Sequence, residues 1–461
     1  MVEMEIACSN ALKIGKSLGL DEVEVYALNK EVLTIRIANS QIVESKGIRD
    51  RGIAIRVVKN KAIGSVTTTN LASDNLKKSL EYALASAIIR GPAGHWTSLP
   101  KPKKCEKVPE CWDQRISRLT EDEAVVIASK MLDSTLGSGA KIKDVSGSLN
   151  VVRENVLITN SHGLNAEEEA SYVLGTITAE ARDGSAVASG FWFDGARILS
   201  EFNAEQVGIN AADMALKSLE PKRINEDSYS IVLTPLAFSE VLAFVFSSHF
   251  ISKGYQDRVS CFYGKLGKKI ADDSVTVYDD PRVAGGLGSK SFDDEGVPSR
   301  RTPLIEEGIF KNLLYDTFYA SKDKTQSTGN AVRMGNPIGR SYDPIPFPVP
   351  HNIVIKPGSY SMEELIEETK HGILVGRLWY TYPINPERGD FSTTARSGNF
   401  LIENGEIKYP VGMMRIYDNL PRWLINVGGI GKEAVQAMAW HALPTITPAV
   451  KIEGVKAAPA S

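Results

Sequence analysis

Apolar residues at Met4, Ala7, Cys8, Ala11, Ile14 and Leu18 recur at helical spacing and Gly19 closes the run, so the chain opens with an amphipathic helix. Period-two runs follow: Val23, Val25 and Ala27 against Glu22, Glu24 and Tyr26, then Val32 and Leu33 leading into Ile35 and Ile37, then Ile53, Ile55 and Val57. Such alternation predicts a meander of half-solvated antiparallel strands, with Lys59-Asn60-Lys61 as a hairpin turn into residues 63–66. Ser73-Asp74 supplies an N-cap, and Leu76, Leu80, Ala83, Leu84, Ala87 and Ile88 form a second helical stripe. Residues 1–90 therefore read as one α+β unit.

Prolines at 92, 100, 102 and 109 and lysines at 101, 103 and 104 give residues 91–112 the composition of a linker. A second α+β unit spans 113–225. Thr120-x-x-Glu123 is a capping box, alternating segments run from Ile142 to Phe191, and Val207, Ala211, Met214 and Ala215 form another helical stripe. The layout repeats the first unit. Ile37-Ala-Asn39-Ser40 recurs as Ile158-Thr-Asn160-Ser161, and the turn at Lys59-Asn60-Lys61 is echoed by Asp183-Gly184-Ser185.

Beyond Asn225 the pattern changes. Residues 229–233 read as a buried strand, and Pro235 stands in the first turn of a helix running to about His249. That helix is apolar nearly all round (Leu236, Phe238, Val241, Leu242, Phe244, Val245, Phe246), which predicts that it lies inside the domain. Short strand-like runs separated by Gly, Pro and Asn continue from there, so 226–450 reads as a β-rich domain with long loops and 451–461 as a flexible tail. The fold class is α+β: an N-terminal helix/antiparallel-sheet domain followed by a β-rich C-terminal domain with a buried helix.

Composition narrows the function classes. The chain has 461 residues, 43% of them hydrophobic, with 53 Lys and Arg against 56 Asp and Glu, values that exclude disorder and disfavour nucleic-acid binding by charge alone. Acid near the N-terminus and the lack of any apolar run near 18 residues speak against a signal peptide or membrane span. Four cysteines without a C-x-x-C point to reduced thiols, so a cytoplasmic location is expected. The six histidines stand at 95, 162, 249, 351, 371 and 441, too far apart for any pair to share adjacent turns of one helix.

Candidate chemistry is sparse. Gly428-Gly429-Ile430-Gly431-Lys432 has a Gly-rich turn ending in Lys, but Glu433 stands where a P-loop needs a hydroxyl. The acids Asp279-Asp280 and Asp293-Asp294-Glu295 lack the spacing of a calcium loop and read as solvated turns. His162 with Glu167-Glu168-Glu169 reads as a surface turn. His249 lies twelve residues before Cys261 and is preceded by Ser247 and Ser248, so a nucleophile paired with His249 is conceivable. Three further loops combine Gly with polar groups as contact sites for an extended ligand would: 294–308, 327–333 and 389–405, which carry Asn330, Arg333, Asp390 and Ser392.

At these loops the sequence resembles the TldD/PmbA proteins, in their PmbA (TldE) branch. The likeness runs through Gly47-Ile-x-x-x-Gly52-x-x-x-Arg56-Val57, Val232-Leu233-x-Pro235, Asp294-Glu-Gly-x-Pro298, Leu304-Ile-Glu-x-Gly308, Ser327-Thr-Gly-Asn-Ala331 and Gly389-Asp-Phe-Ser392. It implies a zinc-dependent peptidase system in which a TldD-type chain carries the metal through His-Glu-x-x-x-His and a Cys in a C-terminal Gly-x-Cys-Gly-Lys, and a TldE-type chain pairs with it around a peptide cavity. Two His and a thiolate would leave zinc one open position, and the Glu would act on the bound water. Here the corresponding stretch is Phe244-Val245-Phe246-Ser247-Ser248-His249, and Ile430 stands where the Cys would be. Phe244, Val245 and Ile430 thus occupy ligand and base positions, and only His249 remains. The resemblance therefore implies a chain that binds no zinc itself, zinc on a TldD-type partner in a heterodimer or else a homodimer, and a peptide held extended along a sheet edge by a cavity that includes His249, Asn330, Arg333, Asp390 and Ser392. Two other readings stand beside it: an autonomous hydrolase using Cys261 or Ser248 with His249, and a homodimeric peptide-binding protein without catalysis.

Overall fold

In the computed structural model, which describes residues 2–438, 440 and 443–460, the two apolar runs after the first helix form one strand rather than two. Helix α1 (Val2–Ser17) leads into β1 (Glu22–Ala38), β2 (Gln41–Lys59) and β3 (Ala62–Thr68), and α2 (Ser73–Arg90) closes the unit. Asn39 and Ser40 take φ of 51° and 56°, the tight turn that folds β2 straight back along β1. After α3 (Gln114–Arg118) the order recurs as α4 (Glu121–Gly137), β4 (Ile142–Asn160), β5 (Asn165–Asp183), β6 (Ala186–Ala196) and α5 (Ala204–Lys217), with the Thr120/Glu123 capping box in place at the start of α4.

The six strands make one sheet in the order β3-β2-β1-β4-β5-β6, with β1 and β4 antiparallel at its centre, so the sequence repeat is a pseudo-twofold. Equivalent corners are built alike. Val145 N–H donates to Ser40 Oγ at 3.0 Å and Ser40 N–H to Val145 O at 3.0 Å; Val23 N–H donates to Ser161 Oγ at 3.1 Å and Ser161 N–H to Val23 O at 2.8 Å. Gly64 on β3 and Gly190 on β6 match in the same way: a Cβ on Gly64 would collide with Ala83 O of α2, and one on Gly190 with Ala211 O of α5. Both helices can press their backbones onto the sheet only because these positions lack a side chain.

The units 1–90 and 113–225 are thus two halves of one hydrogen-bonded layer. The Pro-rich stretch between them is strapped down, with Trp96 and Leu99 buried and Trp96 Nε1 donating to Glu22 at 2.7 Å. Helices cover one face of the sheet: Met4, Ala7, Leu76 and Leu80 pack on Val25 and Ile55, and Ala128, Met131, Val207 and Ala211 on Ile35 and Val151. The other face, expected to be solvated, is buried as well. There Tyr26, Leu28, Val32, Val152 and Tyr172 meet Leu287, Phe292, Ile338 and Met438 of the C-terminal domain. Alternation marks two unlike faces but does not say whether a polar one ends in water or against another domain.

The C-terminal domain begins with β7 (Asp227–Leu233) and α6 (Pro235–Val241), the latter continuing through a π turn at Leu242–Phe246 and a 3-10 turn at Ser247–His249. Then follow α7 (Ser252–Gln256), β8 (Val277–Asp279), β9 (Thr302–Glu306), β10 (Ile309–Phe310), α8 (Thr317–Lys322), β11 (Ala331–Val332), β12 (Phe347–Pro348), β13 (Ile353–Ile355) and α9 (Met362–Glu367). The last elements are β14 (His371–Asn385), β15 (Asp390–Glu403), β16 (Glu406–Pro410), β17 (Met414–Asn419), α10 (Leu420–Ile425), β18 (Val427–Ile430), β19 (Val435–Ala437), β20 (Thr445–Thr447) and β21 (Val450–Pro459).

Two sheets result. One runs β10-β9-β8-β13-β20-β19; the other runs β14-β7-β21-β17-β15-β16, and an added β14–β15 pairing closes five of its strands into a ring. The buried helix α6 packs against β14 and contributes Phe238 and Val241 to the domain core. Residues 451–461, expected as a flexible tail, are corrected here: β21 is an interior strand that pairs with β7, β17 and β18, and Ile452, Val455 and Ala457 are core residues. Its Ala-rich, weakly alternating sequence reads as loose, but the strand is fixed by ladders to β7 on one side and to β18 and β17 on the other. Among the described residues no helix is long and apolar enough to cross a membrane.

Candidate functional site

Thr234 caps α6, its Oγ1 accepting from Ala237 N–H at 3.2 Å, and Pro235 fits the first turn, where no backbone donor is needed. The π turn that follows sets hydrogen bonds five residues apart, a geometry often kept at functional sites. The side chains it offers are apolar. Val245 is fully buried and Phe244 partly so, both against the domain core. Ile430, on β18 beside Val450, is buried too and lines a cavity of about 20 Å³ with Leu242, Phe246 and Trp423, walled by apolar side chains alone. Zinc needs nitrogen, sulfur or oxygen donors converging within about 2.0–2.3 Å of one point. Phenyl, isopropyl and sec-butyl groups supply none, and among the described residues no three His, Cys, Asp or Glu side chains stand together as a metal site. The residues present do not fit a zinc ion.

His249 is held away from catalysis. Its Nδ1 accepts from the backbone N–H of Cys261 at 3.3 Å, its ring meets Phe262 edge-on, and Nε2 is buried without a partner among the described residues. Burial pushes its pKa down to about 4. Burial likewise pushes the Cys261 thiol up to about 12, so the thiolate a nucleophile requires is disfavoured. Ser248 Oγ donates to Val245 O at 3.0 Å rather than to an imidazole. The structure gives the Cys261 or Ser248 dyad no support, since sequence spacing brought the residues near one another but not their reactive atoms.

Asp390 belongs to the same corner. The Gly389 backbone rests against Cys261 Sγ, and Asp390 accepts from Asn419 Nδ2 at 2.9 Å and pairs with Arg388 at 3.3 Å. Ser392 is buried and donates to Ile416 O at 3.4 Å inside the sheet. Neither lies open to a peptide.

Asn330 and Arg333 lie elsewhere, in a buried ionic junction between the two domains. Asn330 Nδ2 donates to Asp279 Oδ2 at 2.6 Å. Arg333 stacks on Tyr26 at 4.3 Å, pairs with Glu24 at 3.1 Å and donates to Asp343 O at 2.8 Å. Around it Arg56 bridges Glu24 and Glu295, each at 2.6 Å, and Arg340 bridges Glu154, Asp294 and Glu168 at 3.2, 2.9 and 2.6 Å. Of the acids expected in solvated turns, Asp279, Asp293, Asp294 and Glu295 are all 0% exposed, and Asp280 is half-buried. Burial without a cation facing it holds the Asp279 carboxyl up at about 7, while Lys290, Arg340 and Arg333 around Asp294 keep that carboxyl below its usual range. Forked guanidinium groups can satisfy several carboxylates at once, which is why arginine fills this junction. Arg333 thus joins the domains, and Asn330 is held within the C-terminal one by Asp279 and Val349 O.

An open cleft does exist where the helix and the Gly-rich turn meet. Trp192, Leu236, Tyr360, Met362, Lys432 and Gln436 line a volume of about 260 Å³. One side of it is β19, the edge strand of the second sheet, with Val435 48% exposed. Gly431-Lys432 is fixed beneath it by Gly358 N–H to Gly431 O at 2.9 Å and Lys432 N–H to Tyr360 O at 2.7 Å. None of the cleft residues was singled out by sequence as peptide-binding. The signal available was the Gly-x-Gly-Lys frame itself, whose value lay in the strand that follows it.

The chain was compared with known proteins. Residues 226–459 match the PmbA/TldA metallopeptidase C-terminal domain, 23–87 the family's domain 1 and 114–219 its central domain. The metalloprotease PmbA of Escherichia coli O157:H7 is 26% identical over 460 residues, covering 98% of this chain and 96% of that protein. Among solved structures, TldE from Thermococcus kodakarensis superposes with a TM-score of 0.87 at 28% identity, covering 98% of this chain and 100% of that one. A protein from Thermotoga maritima described as a putative modulator of a DNA gyrase gives 0.86 at 25% identity, covering 99% and 100%.

Proposed function

The chain belongs to the PmbA/TldA metallopeptidase family, and from that premise we propose that it is a TldE-like subunit that holds no zinc and completes a peptide cavity against a TldD-type partner. The observation that carries this reading is the chemistry at three positions: Phe244, Val245 and Ile430 put hydrocarbon where the catalytic chains of such a system need two metal ligands and a base. A single loss could be compensated by a neighbouring donor; the walls around Ile430 offer none. The zinc and the activated water belong to the partner.

The part assigned to this chain is to hold substrate. An unstructured peptide lies extended beside β19, whose outer edge offers backbone donors and acceptors that recognise a strand without regard to sequence. Trp192, Leu236 and Met362 take its apolar side chains, and Lys432 stands at the rim. The four cysteines are all free, in keeping with the reducing cytoplasm in which such a complex would work.

The test is reconstitution. Purified alone with added zinc, the chain retains no stoichiometric metal and leaves an unstructured peptide intact; mixed with a TldD-type chain it forms a stable complex, and cleavage appears. Stoichiometric zinc on the chain alone, or cleavage by it alone, overturns the proposal. Recovery of the native protein only as a homodimer would replace the TldD-type partner with a second copy.

A further inference from the structure

Two arginines stand on the paired strands β14 and β15, neither in contact with a carboxylate among the described residues. Arg377 is 6% exposed, and its guanidinium lies 3.7 Å from the Phe191 ring, 4.6 Å from Trp379 and 5.7 Å from Trp440. Arg396, exposed, covers Trp379 at 3.8 Å. Neither arginine makes a salt bridge or a side-chain hydrogen bond to a described residue. Glu240 is the carboxylate whose charge acts on Arg377, but its Oε1 accepts from Thr381 Oγ1 at 2.9 Å.

A guanidinium in this position has lost most of its hydration, and ring faces replace only part of it. Burial, with Arg396 beside it, brings the Arg377 pKa down to about 10. A buried charge with a like charge at its exposed side is relieved by one anion bound beside both, and a planar carboxylate matches the guanidinium fork.

The cage lies near the cleft, because Phe191 of the cage and Trp192 of the cleft are neighbours on β6. Leu236, which lines the cleft, packs in one cluster with Phe191, the ring beneath Arg377. On the other side β19 ends at Ala437, and Trp440, three residues on, meets Trp379 edge-on at 4.3 Å.

We propose that Arg377 and Arg396, in their cage of Phe191, Trp379 and Trp440, form an anion subsite that takes a carboxylate of the peptide held along β19. This rests on the reading of the cleft as a peptide site. The carboxylate is either the peptide's C-terminus or an acidic side chain.

Binding to the full-length chain is measured by calorimetry and by the fluorescence of the cage tryptophans. The probes are an acetylated Val-Thr hexapeptide amide, the same peptide with a free C-terminal carboxylate, and the amide with one Thr replaced by Asp. At least one carboxylate-bearing peptide binds about tenfold more tightly than the neutral amide. Arg396→Gln, at an exposed position, abolishes that preference while leaving the melting transition and the affinity for the neutral amide unchanged; Arg377→Lys weakens it. A gain confined to the free acid assigns the chain terminus, and a gain confined to the Asp peptide assigns a side chain. Equal binding of all three peptides overturns the anion subsite and leaves the peptide cleft standing, as does an undiminished preference in Arg396→Gln. Binding of none of the three overturns both.

Discussion

Arg333 and Glu24, 309 residues apart in the chain, meet at 3.1 Å in a pair from which water is excluded on both sides. Glu24 lies on β1 and Arg333 just beyond β11, so the pair ties the N-terminal sheet to the C-terminal domain, and Arg56 closes it through Glu24 and Glu295. Desolvating such groups costs several kcal/mol each, and only a fully connected network recovers it.

Removing one member should therefore cost more than removing a surface charge. Arg333→Met leaves Glu24 with Arg56 alone and strips Asp343 O of its donor, and it should lower the unfolding free energy by about 3 kcal/mol in urea denaturation. Arg36→Met, which breaks an exposed pair with Glu44, should cost less than about 1 kcal/mol. Equal effects from the two substitutions would contradict the assignment of the junction.

The pseudo-twofold makes a paired prediction. Gly64→Ala and Gly190→Ala should each destabilise by about 1–3 kcal/mol, because the added methyl meets helix backbone rather than a side chain that can swing away. Gly47→Ala, on the open edge of β2 with nothing near its Cβ, should be neutral or slightly stabilising in the same thermal melts.

His249 sets part of the acid sensitivity. Its folded pKa, near 4, lies below the unfolded value, so the unfolded chain takes up a proton first and stability falls as pH drops from about 6.5 toward 4, by about 3 kcal/mol for this group. Asp279 acts in the opposite sense: with a folded pKa near 7 it withdraws stability as pH rises from about 4 to 7. His249→Gln should therefore flatten the low-pH side of the stability profile and expose the Asp279 slope. An unchanged profile would mean that His249 takes up its proton at the same pH in the folded and the unfolded chain.

Truncation tests the ring of strands. A chain ending at Pro448 lacks β21 and leaves β7, β17 and β18 each short of a neighbour. It should fail to give a cooperative melt, whereas loss of Ser461 alone should leave the transition where it is. A soluble, cooperatively folding chain without β21 would show the C-terminal segment to be dispensable.

The helices and hairpins of residues 1–225 were legible in the sequence because each is specified locally, by period, cap and turn: Thr120 with Glu123 at the start of α4, and Asn39-Ser40 and Asn160-Ser161 at matching corners. The lack of metal donors at Phe244, Val245 and Ile430 was equally legible, since it depends on residue identity alone. Tertiary structure decided the rest. Whether Asp293-Asp294-Glu295 faces water or arginine depends on Arg56, Arg333 and Arg340, which reach it from distant points of the chain. Whether residues 450–459 are tail or core depends on strands that begin at Asp227 and Met414. Asn330, Arg333, Asp390 and Ser392 carry polar groups that sequence alone could match to a ligand; folding paired them with the protein itself. Local signals travel along the backbone, but charge pairing and desolvation act through space, and only the folded chain fixes which groups become neighbours.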